Sequence, residues 1–327
     1  MNELVSIAEA NALIDQGRVL HVAGEERLLR QLHRGRWIGG TTPYILTRQG
    51  GMAERERVFV SELPVNRRDV FIRFVDIGYI PAISTEAPRN GFTIVIAPGM
   101  SEAHTIYGLT ANRIPGIREI PIIGWISGVH EEDRERLTAR VFNGLTGEAS
   151  DRRIVVMQAT LPLERQASVS IVNVFKPGDG DEIVFNEPSF AVKECSINGK
   201  PADFYTYASS RGLDLKRPLV TELGGEFINV SLKAVDAENR SVQFYAPVMK
   251  GRVYRQAAPL PDYRAALIEA AGKLRLTPVL SCNCYHNYTY GHLEGELFIP
   301  LPGPAVFGEL AHVLMNQTLV CLSVHDK

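Results

Sequence analysis

From residue 280 to residue 324, apolar runs are broken by closely spaced cysteines, aromatics, glycines and short polar side chains. A strand opens the stretch and puts Cys282, Cys284 and His286 on one face, because alternate residues of an extended chain point the same way. An aromatic, glycine-rich turn follows with Tyr288, Tyr290, Gly291 and Gly295. Phe307, Gly308 and Glu309 then lead into a short helix, and Asn316, Gln317, Thr318 and Leu319 start a closing apolar strand. The polar groups sit between elements rather than along one solvated face. No motif among them fixes a reaction.

The remaining 280 or so residues must build the frame for this stretch, so composition matters. The chain has 327 residues, 45% hydrophobic and 22% charged. That supports one large domain or two subdomains around an ample core. A net charge of −2 gives no electrostatic footprint for nucleic acid or an anionic membrane. No apolar run reaches the ~20 residues that span a bilayer, and the amphipathic, acidic opening residues are no signal peptide. Four cysteines at this length make no disulfide framework. The expected setting is a reduced cytoplasm.

Apolar spacing predicts helices over residues 3–16 and 25–32. Trp37, Gly39, Gly40, Thr41, Thr42 and Tyr44 form either a tight turn beside a crowded site or a plain strand corner. Strands are expected over 57–62, 70–76 and 92–97, the last leading to Ser101. Ser101 reads as a helix cap rather than a nucleophile, because the hydrolase elbow needs a second glycine that is missing here. A hydrophobic strand over 121–127 precedes a charged helix over 130–142, its acids at the start where the helix dipole favours them. In the second half, Asn198 and Gly199 mark a hairpin and Gly212 ends a helix over 203–211. Segments 228–235 and 241–248 alternate as an antiparallel pair, and 261–273 form a helix. Strand runs joined by polar turns and by helices give an α+β fold with mixed, mainly antiparallel sheets flanked by helices.

Cys282 or Cys284 could serve as a nucleophile with His286 or His292 as base, but strand cysteines more often behave as small core hydrophobes. Structural zinc on Cys282, Cys284 and His286 is not expected: one intervening residue is a poor spacing for two ligands of one ion.

Two stretches resemble the ends of the FIST sensory domain. The first is Leu28, Leu29 and Leu32 leading into Trp37-Ile38-Gly39-Gly40-Thr41-Thr42. The second is Phe307-Gly308-Glu309 followed by Asn316-Gln317-Thr318-Leu319. Stand-alone bacterial members are similar over more of the chain, through Glu194-Cys195, Ile197-Asn198-Gly199, Phe244 to Val248 and Cys282-Asn283-Cys284. The Gly-Glu pair usual after the first turn is replaced by Tyr44-Ile45. The resemblance implies two interlocked subdomains, residues 1–165 and 166–327. It also implies a small-molecule sensor for an amino acid or similar polar metabolite, signalling through a protein partner in trans. No cofactor is required, although some members are similar to haem-binding gas sensors, for which His286 and His292 are the nearest ligands. The expected ligand lies between the two family-like turns. Trp37, Tyr44, Tyr288, Tyr290 and Phe307 would form its walls, and Gly39, Gly40 and Gly308 would permit close approach. Thr41, Thr42, Cys282, Cys284, Glu309 and Asn316 would complete the site, an ionised Glu309 drawing an amine and a donor such as Arg48 facing a carboxylate.

Overall fold

The strand Gly91–Pro98 is buried along its whole length. Its unbroken apolar run suits a strand covered on both faces. The structure, a computed structural model describing residues 1–296 and 301–327, places that strand inside a six-stranded sheet. The spatial order is Leu314–Met315, Glu309–Leu310, Ile122–Ser127, Gly91–Pro98, Ile154–Thr160 and Val70–Val75. A second six-stranded sheet carries the start of the chain. It runs Asn2–Val5, Val58–Glu62, Leu20–Gly24, Trp37–Thr41, Val141–Asn143 and Glu148–Ser150. Leu20–Gly24 and Trp37–Thr41 are parallel, as are Gly91–Pro98 and Ile122–Ser127. Antiparallel pairing dominates elsewhere, so the fold is mixed α and β with mainly antiparallel sheets.

A third sheet ties the ends of the chain together. Its order is Arg165–Val172, Leu319–Asp326, Leu280–Cys284, Gly303–Val306, Tyr44–Thr47 and Gly50–Ala53. Pro304 faces Ile45 across the join. Likewise Glu309 faces Trp125 in the first sheet. Strands from early and late sequence are therefore woven into common sheets. The rest of the second half builds one six-stranded and one three-stranded antiparallel sheet, against which the helix Phe204–Arg211 packs. Among the described residues no helix is long and apolar enough to cross a membrane. All four cysteines are free and buried.

Local signals account for many element ends. The helix Ile7–Asp15 starts on a capping box, in which Ser6 Oγ accepts from Glu9 N and Glu9 accepts from Ser6 N at 2.8 Å. Replacing Ser6 by alanine is expected to lower stability by about 1 kcal/mol, read as a shift in the urea midpoint. Asn198 and Gly199 both take positive φ at the hairpin between Glu194–Ile197 and Lys200–Asp203. Gly212 closes the helix Phe204–Arg211 in the left-handed conformation.

Three expectations are corrected. Residues 130–142 are not a helix: a short 3-10 turn over Glu131–Asp133 gives way to the strand Val141–Asn143. Leu137, Ala139 and Val141 have the two-residue period of a strand, and Asp133 is tied by Arg55 and Arg136 into ion pairs that fix the turn. Phe307 to Glu309 do not enter a helix but a two-residue strand, Glu309–Leu310, paired with Leu314–Met315. His286 does not share a strand face with Cys282 and Cys284, because the strand ends at Cys284 and His286 lies on the helix Tyr285–Tyr290.

Candidate functional site

Packing dictates where the residues of the expected site fall. Trp37, Gly39 and Gly40 lie within the strand Trp37–Thr41, buried throughout. The Trp37 indole donates to the His33 carbonyl at 2.8 Å and stacks on Phe142 at 6.3 Å. It belongs to a core with Ile14, Leu20, Val22 and Leu29, not to a ligand wall. A Cβ on Gly39 would lie 2.7 Å from the Val22 carbonyl oxygen, and one on Gly40 would lie 2.8 Å from the Trp125 ring. These glycines let layers approach one another. Their assignment to a binding site is corrected accordingly.

The other residues of the two stretches do meet. Thr42 Oγ1 donates to the Ala305 carbonyl at 2.7 Å, and the Thr41 carbonyl accepts from Gly128 N at 2.7 Å. Tyr44 is the centre of an aromatic layer. Its ring lies 4.5 Å from Tyr285, 5.4 Å from His130, 5.4 Å from Tyr288 and 6.2 Å from Phe307. The Tyr44 hydroxyl accepts from Glu131 N at 3.1 Å. Phe307 lies flat against Gly128, where any side chain would strike its ring. His286 is sandwiched between Tyr245 at 4.5 Å and Tyr290 at 5.1 Å.

Behind this layer runs a buried polar network. Thr318 donates to Glu309 Oε2 through its N–H at 3.1 Å and its hydroxyl at 2.7 Å. The Thr318 carbonyl accepts from Asn287 Nδ2 at 3.0 Å, and that amide also reaches Asn283 Oδ1 at 2.7 Å. The Tyr263 hydroxyl donates to Asn287 Oδ1 and accepts from Gln317 Nε2 at 3.3 Å. Asn316 Oδ1 accepts from Ser231 N at 3.3 Å. Among the described residues, Glu309 Oε1, Asn316 Nδ2, Asn283 Nδ2 and His286 Nδ1 are buried without a protein partner. The Cys284 thiol lies close enough to the Glu309 carboxyl for each group to shift the other's ionisation.

Desolvation governs the chemistry of these groups. Complete burial raises Glu309 to about 8, against the pull of its Thr318 hydrogen bonds. At pH 7 the carboxyl is therefore mostly neutral and can donate a proton to a hydrogen bond. The expected ionised Glu309 attracting an amine is corrected on this ground. Burial and the neighbouring Glu309 push the Cys284 thiol well above its usual range, and burial does the same to Cys282. His286 is lowered to about 4 by burial. Among the described residues the His286 Nδ1 atom has no hydrogen-bond partner, so no hydrogen bond through that atom activates either thiol. Among the described residues no three His, Cys, Asp or Glu side chains could hold a metal ion together.

One cleft of about 340 Å³ opens beside the aromatic layer. It is lined by Thr41, Thr42 and Pro43, by Gly128, Val129 and His130, and by Leu137 and Thr138. The first turn after Leu20–Gly24 supplies a charged rim of Glu25, Glu26, Arg27 and Arg30. These charges are cross-tied: Arg27 pairs with Glu25 at 3.1 Å, and Arg30 with Glu26 at 2.6 Å. Arg55 bridges Glu25 and Asp133, and Arg140 reaches Glu26. Arg48 lines a different cleft, with Met1 and Glu62. The expectation missed His130, Leu137 and Tyr285. Residues 130–142 had the charge pattern of a solvated helix, which concealed His130 and Leu137.

The sequence model of a family of unknown function, DUF6976, matches residues 5–325. The chain belongs to that family. The match covers nearly the whole chain, and it overturns the resemblance to the FIST domain: the short stretches that carried it are DUF6976 sequence, and the sensory role it implied loses that support. No curated protein and no solved structure matches this DUF6976 chain.

Proposed function

We propose that the chain is a small-molecule-binding domain whose ligand sits in the cleft between Thr41–Pro43 and Gly128–His130. One observation carries this reading: Leu20–Gly24, Trp37–Thr41 and Ile122–Ser127 all end beside that cleft. Carboxyl ends of parallel strands are where open α/β sheets bind ligands, and concave sites with an apolar floor and few polar anchors are the common form. Pro43, Val129 and Leu137 favour a compact apolar body. A rim holding both signs of charge favours a zwitterion, such as an amino acid with an apolar side chain, and output would pass to a partner protein. A cysteine-dependent reaction is less well supported, because the thiols are buried and, among the described residues, His286 Nδ1 bonds to neither.

A thermal-shift screen of small zwitterions tests this. A ligand present at 100 times its Kd adds ~2.7 kcal/mol to the native state. Leu137→Glu puts a charge into the apolar mouth at a half-exposed position and is expected to abolish the shift. Leu163→Glu, on an exposed turn away from the cleft, should leave it intact. A panel without any shift, or equal shifts in both variants, overturns the assignment.

A further inference from the structure

A second cleft, of about 370 Å³, shares no lining residue with the first. Its walls come from residues 118–122, from Val169 and Ile171 on the strand Arg165–Val172, from the turn at Leu223 to Glu226, and from Ala311 and His312. Ile120, Val169 and Ile171 leave hydrocarbon half-buried there. Arg118 supplies a guanidinium with no carboxylate within 4.0 Å among the described residues, although Glu119 and Glu226 both line the cleft. The hairpin turn seats it: Gly224 has φ +68°, and a Cβ there would lie 3.0 Å from Arg118 Nη1. Burial raises the Glu226 carboxyl against the pull of Arg118, and burial together with Arg118 lowers His312. Arg118 thus stands as a cation next to hydrocarbon, with no opposite charge in contact.

We propose that this cleft binds an amphiphilic monocarboxylate, its chain against Ile120, Val169 and Ile171 and its carboxylate on the Arg118 guanidinium. The planar fork of arginine matches a carboxylate with two parallel hydrogen bonds. Hydrocarbon contact adds the non-directional part of the affinity. The His312 imidazole, which also lines the cleft, can give the carboxylate a further donor.

Isothermal titration with octanoate, and with octylamine as the probe of opposite charge, decides the matter. Octanoate is expected to bind and octylamine to give no heat. Arg118→Ala, at an exposed position that the fold does not need, should weaken octanoate about tenfold or more, and Arg118→Lys should restore part of the loss. Leu137→Glu should leave octanoate binding unchanged, so failure of the first cleft and of this one are separable. Absence of octanoate binding, equal binding of octylamine, or unchanged affinity in Arg118→Ala would each overturn the proposal.

Discussion

Glu309→Gln is expected to raise stability above neutral pH and to flatten its fall there. Glu309 titrates near 8 in the folded chain against an ordinary 4.5. A carboxyl raised in this way contributes fully below pH 4.5, and its contribution is lost as pH rises through 8, where the folded state at last releases the proton. Between those limits stability falls by about 1.4 kcal/mol per pH unit for this one group. Glutamine has the same shape, stays neutral, and keeps a carbonyl for the two Thr318 donors at 3.1 and 2.7 Å. The variant should therefore gain several kcal/mol near pH 8.

Buried histidines set the acid side. Burial lowers His21 to about 3, and His104 and His286 to about 4, from 6.5. A depressed histidine contributes above pH 6.5 and is lost as pH falls towards its folded value. From pH 6.5 downwards these three, with the lowered His312 acting in the same sense, outweigh the raised Glu309 and Glu226, so the wild-type optimum is expected near pH 6.5. Urea unfolding at half-unit steps from pH 5 to 8 checks both limbs. An unchanged slope between pH 6.5 and 8 in Glu309→Gln would sink the assignment of that limb to Glu309.

Trp37→Ala is expected to lower stability by about 3–5 kcal/mol, the range for deleting a large buried aromatic. The indole is 2% exposed and is held by its bond to His33 and by the face of Phe142. Gly144 approaches the same ring so closely that a Cβ there would meet it at 2.5 Å. Because none of this reaches the cleft, the folded variant should retain any ligand-induced thermal shift. A variant of near wild-type stability that had lost ligand binding would reverse the assignment of Trp37 to the core.

Periodicity was informative where one physical effect acted alone. Alternation marked the central strands, and Ser6, Asn198, Gly199 and Gly212 marked caps and turns through local chemistry. It misled where two effects overlapped. Glu131, Glu132 and Asp133 resembled a helix start, yet their partners Arg55 and Arg136 fold them into a turn. Gly39 and Gly40 left a tight turn and a plain strand corner both open, and only the tertiary neighbours Val22 and Trp125 explain why the strand needs them. The meeting of Thr42 with Ala305 could be anticipated only by placing two distant stretches side by side. The ionisation of Glu309 could not be anticipated, because burial is a property of the assembled sheets.

The weave of early and late strands also sets a timetable for biosynthesis. Thr42 and its partner Ala305 are 263 residues apart. At translation rates of 5–20 residues per second, the early partner waits roughly 13 to 50 s for the late one to be made. Throughout that interval the buried strand Tyr44–Thr47 lacks its neighbour Gly303–Val306, and the strand Ile122–Ser127, once made, lacks Glu309–Leu310. The nascent chain thus exposes sticky sheet edges until late in its synthesis, and protection by a chaperone at the ribosome would bear directly on its yield.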